Sequence, residues 1–179
     1  MAQGRNIILV GFMATGKSQV GKLLSRKLGR PLADADEEIV RRRGKPVHRI
    51  FQEEGEAVFR SLERAVIADL CGQSGKIIAA GGGAFVDPEN RSLMLKSGMV
   101  FCLSASPEII YSRIGRQSEP GGAARPLLAG GDPLGRIKAL LEQRAGAYAQ
   151  AHYVIQTDAL TPEEVADRVL ELCSLDNES

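Results

Sequence analysis

An eight-residue segment near the amino terminus reads Gly11-Phe12-Met13-Ala14-Thr15-Gly16-Lys17-Ser18. It fits the pattern G-x-x-x-x-G-K-[ST], in which glycines let successive backbone N–H groups surround an anion. The apolar run Ile7-Ile8-Leu9-Val10 precedes it and a helical pattern follows at 19–28. The pattern has its mechanism in this strand–loop–helix context, because the helix adds unpaired N–H groups and the positive end of its dipole. We therefore predict a P-loop that binds the phosphates of a nucleotide.

The side chains of this loop have distinct expected roles. Lys17 is expected to bring a full charge to the outer phosphates, and the Ser18 hydroxyl is placed to coordinate Mg²⁺. The predicted nucleotide-binding residues of the loop and of the following helix are Ala14, Thr15, Gly16, Lys17, Ser18 and Gln19.

Composition predicts one globular domain over the 179 residues, with a core at about 5–173. Hydrophobic residues make up 44% and charged residues 25% of the chain, which are ordinary values for such a domain. A net charge of +1 and an aromatic content of 4% argue against nucleic acid or an anionic membrane as a partner. No segment is predicted to be a signal or a membrane span. Three widely spaced cysteines favour a reducing cytoplasm without a disulfide framework.

Strand and helix patterns alternate along the chain. Apolar runs that predict strands lie at 6–10, 32–34, 76–80, 99–103 and 153–155. This alternation predicts an α/β fold with a five-stranded parallel sheet and helices on both faces. Ligands bind beyond the carboxyl ends of the strands in such sheets. The P-loop, Asp34 with Asp36, and Gly81-Gly82-Gly83 all follow predicted strands, so we expect the functional site there.

The segment 115–132 breaks the alternation, since it is rich in glycine and proline and lacks periodicity. A connection this long is either disordered or a mobile lid. Arg125 lies within it. One interpretation is an exposed arginine without a role, and the other is a cation that closes over the γ-phosphate during phosphoryl transfer.

Asp34 and Asp36 are two residues apart, so on an extended segment both side chains point to one side. One carboxylate could hold Mg²⁺ through its waters while the other accepts a hydrogen bond from a substrate hydroxyl. Alternatively, one of them only caps the next helix. The P-loop upstream needs a metal partner of this kind, which favours the functional interpretation.

Two further features of the sequence each have two possible interpretations. Arg60 and Glu63 share a helix face, either as a surface ion pair or as an arginine fork that Glu63 aims at a substrate carboxylate. Gly81-Gly82-Gly83 is either a flexible turn or a place where a ligand contacts the backbone closely. Periodic apolar residues predict helices within about 35–70.

Taken together, the motifs are similar to those of the shikimate kinases, in the nucleoside-monophosphate-kinase branch of P-loop proteins. The resemblance runs from about Ile7 to Pro162. Its motifs are Gly11 to Ser18, Asp34-Ala35-Asp36, Ile50-Phe51, Gly55-Glu56, Phe59-Arg60-x-x-Glu63, Gly81-Gly82-Gly83, Arg125-Pro126-Leu127-Leu128 and Arg144-x-x-x-Tyr148.

The resemblance implies a cytoplasmic, monomeric enzyme that transfers the γ-phosphoryl group of ATP to the 3-hydroxyl of shikimate, with Mg²⁺ as cofactor. The shikimate-binding residues that it implies are Asp36 for the ring hydroxyls, Arg60 and Arg144 for the carboxylate, and the backbone of Gly81, Gly82 and Gly83. The remaining implied roles are Mg²⁺ binding by Ser18 and Asp34, phosphate binding by Lys17 and Arg125, and adenine binding by Arg113 and the loop before Pro162. Lys17, Asp36 and Arg125 would be the catalytic residues.

The chain departs from the family pattern at Ala14, where another glycine is frequent. We expect little effect, provided that the φ of Ala14 is negative. The residues alone do not separate a shikimate kinase from another small-metabolite kinase such as a gluconate kinase. A guanine-nucleotide switch is disfavoured because the sequence has no N-K-x-D signature.

Overall fold

The structure is a computed structural model that describes residues 4–117 and 130–177. The strands of the described part are Asn6–Val10 (β1), Leu32–Asp34 (β2), Ile77–Ala79 (β3), Gly98–Ser104 (β4) and Tyr153–Gln156 (β5). Its α-helices are Lys17–Leu28 (α1), Ala35–Arg43 (α2), Val47–Glu54 (α3), Glu56–Cys71 (α4), Pro88–Ser97 (α5), Pro107–Gln117 (α6), Pro133–Tyr148 (α7) and Pro162–Asn177 (α8). A 3₁₀ turn at Ala84–Val86 was not predicted. Arg125 and most of the predicted lid lie outside the described residues.

The five strands form one parallel sheet in the order β2-β3-β1-β4-β5. The predicted α/β fold is confirmed, and each predicted strand lies within one residue of its observed bounds. Central strand β1 pairs on one side with β3, where Ile8 faces Ile78, and on the other with β4, where Ile8 faces Val100. The chain therefore crosses to both sides of β1, which leaves a crevice at the carboxyl end of this strand.

All five residues of β1 are buried, because helices cover both faces of the sheet. Successive side chains of a strand point to opposite faces. Ile8 and Val10 accordingly belong to one hydrophobic cluster, which includes residues of α2, α4 and α7, whereas Ile7 and Leu9 belong to another with residues of α1 and α8. The P-loop is thus attached to a strand fixed from both sides.

Helix α2 begins directly at the end of β2. The Asp34 carboxylate accepts hydrogen bonds from the N–H groups of Asp36, at 3.0 Å, and Glu37, at 3.2 Å, so Asp34 does cap this helix, whatever further role it has. Gly44 ends the helix at φ +72°, a conformation that favours glycine. Within the described residues, no helix is long and apolar enough to cross a membrane.

Candidate active site

A cavity of about 830 Å³ lies at the carboxyl ends of β1, β2 and β3. The sheet order makes these three strands neighbours, so the loops that follow them meet at one edge. Every predicted site residue that the structure describes lines this cavity: Ala14, Thr15, Gly16, Lys17, Ser18, Gln19, Asp34, Asp36, Arg60, Gly81, Gly82, Gly83, Arg113, Arg144 and Pro162. The predicted nucleotide and acceptor residues therefore share one space.

The P-loop is held in shape by its own side chains. The Lys17 ammonium group donates hydrogen bonds of 2.7 Å to the carbonyl oxygens of Gly11 and Phe12, and the Thr15 hydroxyl donates to the Phe12 carbonyl at 2.8 Å. Burial lowers the pKa of Lys17 to about 8, although the nearby Asp36 carboxylate opposes this shift. The pKa of this lysine therefore lies closer to neutral pH than that of an exposed lysine.

Ala14 has a φ of +59°, so the condition under which alanine was expected to have little effect here is not met. The loop turns through a left-handed conformation here, as it also does at Gly11 and Gly16. An L-residue in this region costs about 1 kcal/mol, because its Cβ crowds the backbone. The Ala14 carbonyl accepts a hydrogen bond of 3.2 Å from Nη1 of Arg113.

The three glycines after β3 each lie against a different predicted acceptor residue. A Cβ on Gly81 would stand 2.9 Å from Oδ1 of Asp36 and 3.2 Å from Oε2 of Glu63, and one on Gly83 would stand 2.8 Å from both terminal nitrogens of Arg60. A Cβ on Gly82 would stand 3.4 Å from Nη1 of Arg144. We call the backbone of residues 81–83 the glycine floor, because one carboxylate pair and two guanidinium groups converge over it. A side chain at Gly81 would displace the two carboxylates, and one at Gly83 would displace Arg60.

Arg60 is held from the buried side by Glu63. Nη1 of Arg60 donates to Oε1 of Glu63 at 2.8 Å, and Nη2 lies 3.5 Å from Glu56 at the surface. Burial raises the pKa of Glu63, while Arg60 opposes that rise. Arg60 thus makes a helix-face ion pair and also lines the cavity, and its role toward a substrate carboxylate stays a prediction.

Arg144 is almost fully buried, with 7% of its surface exposed. Its guanidinium carbon lies 5.3 Å from the centroid of the Phe12 ring, in a cation–π arrangement that joins α7 to the P-loop. One turn later in α7, the Tyr148 hydroxyl donates a hydrogen bond of 2.5 Å to the Gly82 carbonyl. Tyr148 was not predicted as a site residue. Its signal in the sequence is the spacing of four residues from Arg144, which places both on one face of a helix.

The two aspartates occupy different environments. Asp34 is tied to the P-loop helix, since the Ser18 hydroxyl donates to its Oδ2 at 3.1 Å, and the same carboxylate caps α2. Asp36 lies deeper, where burial and then the Asp34 charge raise its pKa, with Lys17 and Arg60 opposing the rise. A carboxylate with a raised pKa is the better acceptor for a proton.

The hydroxyl of Ser18 and the carboxylate of Asp34 are hard oxygen donors that fit Mg²⁺. Among the described residues, no group of three or more His, Cys, Asp and Glu side chains is placed to hold a metal by itself. This small donor set suits an ion that takes most of its ligands from water and nucleotide phosphates.

A mainly apolar wall lines the cavity beside Arg60, and the sequence did not identify it as part of the site. The rings of Phe51 in α3 and Phe59 in α4 lie with their centroids 4.6 Å apart. The other residues of this wall are Val40, Pro46, Val47 and His48. His48 is thus the titratable residue of this wall.

Comparison with known proteins agrees with this geometry. The sequence model of the family described as "Shikimate kinase" matches residues 13–174. A shikimate kinase from Desulforudis audaxviator is 48% identical over 153 residues, which are 86% of this chain and 78% of that protein. The structure of a shikimate kinase from Acinetobacter baumannii in complex with shikimate has a TM-score of 0.90 at 34% identity, with 97% of this chain and 94% of that chain covered.

A gluconokinase from Sinorhizobium meliloti has a TM-score of 0.60 at 17% identity over 97% of its own length, and this likeness concerns the fold alone. The match to the family model over most of the chain and the high identity to its members carry the assignment. The chain belongs to the shikimate kinase family.

Proposed function

We propose that the chain transfers the γ-phosphoryl group of ATP to the 3-hydroxyl of shikimate, giving shikimate 3-phosphate and ADP. The observation that carries this proposal is the convergence of Asp36, Arg60 and Arg144 over the glycine floor, beside a P-loop in the same cavity. Two guanidinium groups form a receptor for one carboxylate, and a carboxylate with a raised pKa suits a hydroxyl donor.

The nucleotide half of the cavity supports ATP as the donor. The triphosphate would lie on the N–H groups of residues 14–19, with Lys17 leaving the carbonyls of Gly11 and Phe12 to meet the outer phosphates. Arg113 and Pro162 also line the cavity, and we place the adenine beside them. Arg125, proposed to contact the transferring phosphate, lies outside the described residues.

In the proposed reaction, the 3-hydroxyl oxygen forms a bond to the γ-phosphorus while the bond to the β,γ-bridging oxygen breaks. The hydroxyl proton passes to Asp36, whose pKa is raised by burial. Lys17 neutralises charge on the transferring group, and Arg60 and Arg144 hold the acceptor in place, so catalysis depends mainly on positioning and electrostatics. Mg²⁺, held by Ser18 and Asp34, would supply further neutralisation of the phosphates.

The apolar wall favours a cyclic acceptor over an open-chain polyol. Phe51 and Phe59 line the cavity with apolar carbon that suits the ring carbons of a cyclic acceptor, whereas gluconate would present hydroxyls along its whole length. We further propose that the described residues form one kinase domain in which α2, α3 and α4 carry the acceptor site. The cytoplasmic location and the monomeric state expected from the sequence stay predictions.

A coupled ADP-release assay with shikimate, gluconate and nucleoside monophosphates in parallel tests the proposal. We expect rapid ADP release with shikimate and only background release with the other acceptors. Mass spectrometry of the product should find one added phosphoryl group, and NMR should assign it to the 3-position. Release that is equally fast with gluconate, or independent of any acceptor, would overturn the assignment of the acceptor.

A further inference from the structure

The geometry points to Arg113 as a positioning residue that fixes the Ala14–Thr15 peptide group of the P-loop, and so keeps the phosphate-binding loop in its binding conformation in this chain. This proposal deepens the proposed function and rests on it, since the loop concerned is the proposed triphosphate site. It assigns Arg113 a role toward the phosphates that does not require contact with the adenine.

Arg113 connects the P-loop to the residue that follows β5, Thr157. Its Nη1 donates to the Ala14 carbonyl at 3.2 Å and to Oγ1 of Thr157 at 3.2 Å, and its Nη2 donates to the Thr157 carbonyl at 3.1 Å. Thr157 is itself anchored, because its N–H and its hydroxyl donate to the Ser104 carbonyl at the end of β4, at 2.8 and 3.1 Å. The guanidinium therefore bridges a fixed point beyond β5 to one carbonyl of the loop.

The Ala14 carbonyl belongs to the same peptide group as the Thr15 N–H, which is one of the proposed phosphate donors. In a planar trans peptide the C=O and N–H bonds point in opposite directions. Holding the Ala14 carbonyl on Arg113 therefore fixes the direction of the Thr15 N–H away from the guanidinium. A rotation of this peptide group would exchange an N–H donor for a carbonyl oxygen, which would repel an anion.

The hydrogen bond from Arg113 to the Ala14 carbonyl matters more with alanine at position 14 than it would with glycine there. Its φ of +59° is a conformation that glycine adopts freely and alanine does not. Lys17 holds the carbonyls of Gly11 and Phe12, but the Ala14 carbonyl has Arg113 as its side-chain donor. The loop should therefore relax from its binding conformation more readily in this chain when Arg113 is replaced.

Binding of magnesium tripolyphosphate separates this role from contact with the base, because this probe has no adenine. Titration calorimetry would compare the wild type with Arg113→Lys, which keeps the positive charge but cannot bridge three acceptors. We expect the variant to bind tripolyphosphate about tenfold more weakly, in line with the loss of a charged hydrogen bond. Arg116→Lys on the same helix, at an exposed position, is the matched control and should bind as the wild type does.

Ala14→Gly completes a double-mutant cycle. With glycine at 14 the left-handed conformation no longer needs support, so Arg113→Lys should cost about threefold or less in that background. Thr157→Val, which removes one acceptor of Arg113 by a smaller change, should weaken tripolyphosphate binding in the same direction. Circular dichroism and thermal melting would establish that each variant is folded.

The outcomes distinguish the two proposals. Weaker ATP binding with unchanged tripolyphosphate binding in Arg113→Lys would mean that the arginine acts through the base alone, and would overturn the positioning role. Equal losses with alanine and with glycine at 14 would overturn it as well. Failure of the wild type to bind tripolyphosphate would overturn the proposed nucleotide site itself, whereas transfer to shikimate in the coupled assay tests that function independently of the cycle.

Discussion

The Tyr148 hydroxyl and the Gly82 carbonyl are joined by a hydrogen bond of 2.5 Å, which ties α7 to the glycine floor of the cavity. Tyr148 is buried, and burial raises its pKa to about 12, so the hydroxyl stays a donor at any physiological pH. Because Arg144 lies on the same helix face and its Nη1 approaches Gly82, this bond holds one proposed carboxylate ligand at a fixed distance from the floor.

Tyr148→Phe should therefore loosen the acceptor site without removing a substrate contact. We expect the KM for shikimate to rise about fivefold, which corresponds to the loss of one hydrogen bond of about 1 kcal/mol. The KM for ATP should stay nearly constant. Tyr153→Phe, in β5 and away from the cavity, is the control and should leave both constants unchanged. Parallel increases for both substrates would argue against a local effect at the floor.

Arg60→Lys should weaken acceptor binding because lysine cannot present two parallel N–H donors to a carboxylate. We expect the KM for shikimate to rise about tenfold or more, with a much smaller change for ATP. Arg64→Lys is the matched control, since Arg64 lies one turn later on α4 and pairs with Asp87 outside the cavity. If both substrates were affected equally, or neither, Arg60 would lose its proposed role at the carboxylate.

Asp34→Asn separates the metal from the helix cap. Asparagine retains an oxygen that can cap α2, but it lacks the negative charge. We expect the Mg²⁺ concentration for half-maximal activity to rise about tenfold, with little change in melting temperature. Asp87→Asn is the control, because Asp87 caps α5 in the same way, through the N–H groups of Glu89 and Asn90. It should leave the Mg²⁺ requirement unchanged. An unchanged Mg²⁺ requirement in Asp34→Asn would remove Asp34 from the metal site.

Nucleotide affinity should depend on pH through Lys17. Its pKa is about 8 in the nucleotide-free protein, and the phosphate charges must raise that pKa on binding. At a pH above about 8, ATP binding therefore takes up a proton, and the affinity for ATP should fall as the pH rises through about 8. Below that pH, the titration of Lys17 should change the affinity little. Calorimetry at about pH 8.5 in buffers of different ionisation enthalpy would measure the uptake. Lys17→Met should bind ATP weakly and take up no proton on binding. Equal proton uptake in the variant and the wild type would mean that another group takes up the proton.

Stability should fall in mild acid because of His152. Its Nδ1 accepts a hydrogen bond of 3.0 Å from the Val100 N–H, which requires an unprotonated nitrogen. Burial and the Arg5 charge lower its pKa below the ordinary 6.5, while Asp176 opposes the shift. The unfolded chain then binds more protons than the folded one, so stability is lost as the pH falls from 6.5 through the pKa of the folded protein.

Urea unfolding at several pH values checks this sign. The wild type should have a lower midpoint on the acidic side, and His152→Asn, which keeps an acceptor that does not titrate, should lose part of that dependence. An identical pH profile for the variant would mean that the dependence comes from other groups.

Much of the fold could be predicted because its signals are local. A strand covered on both faces must be apolar at nearly every position, as 7–10 are, and a glycine after a helix, as at Gly44, permits the left-handed turn that ends it. The P-loop residues Lys17 and Ser18 follow from a pattern eight residues long. These features depend on the backbone preferences and burial of neighbouring residues, which the sequence states directly.

The acceptor site was predictable only as separate candidates with open alternatives. Spacing could not say whether Asp34 capped a helix or faced the P-loop, and in the structure it does both. It placed Tyr148 on the helix face of Arg144 but could not show the hydrogen bond of Tyr148 to Gly82. Nor could it reveal the wall of Phe51 and Phe59, because apolar and aromatic residues at helical spacing look the same in a core and in a pocket. The resemblance to a family, rather than a physical argument, assigned a role to Arg144.

The sequence by itself determined the order of strands and helices, the phosphate-binding loop and the residue types that could carry the chemistry. Only the tertiary structure decided that Gly81, Gly82 and Gly83 lie against different side chains, and that Ala14 adopts a positive φ with its carbonyl on Arg113. The physical reason is that these contacts join residues far apart in the chain. Their geometry is set by how the strands are ordered in the sheet and how the helices pack on it, which no local pattern specifies.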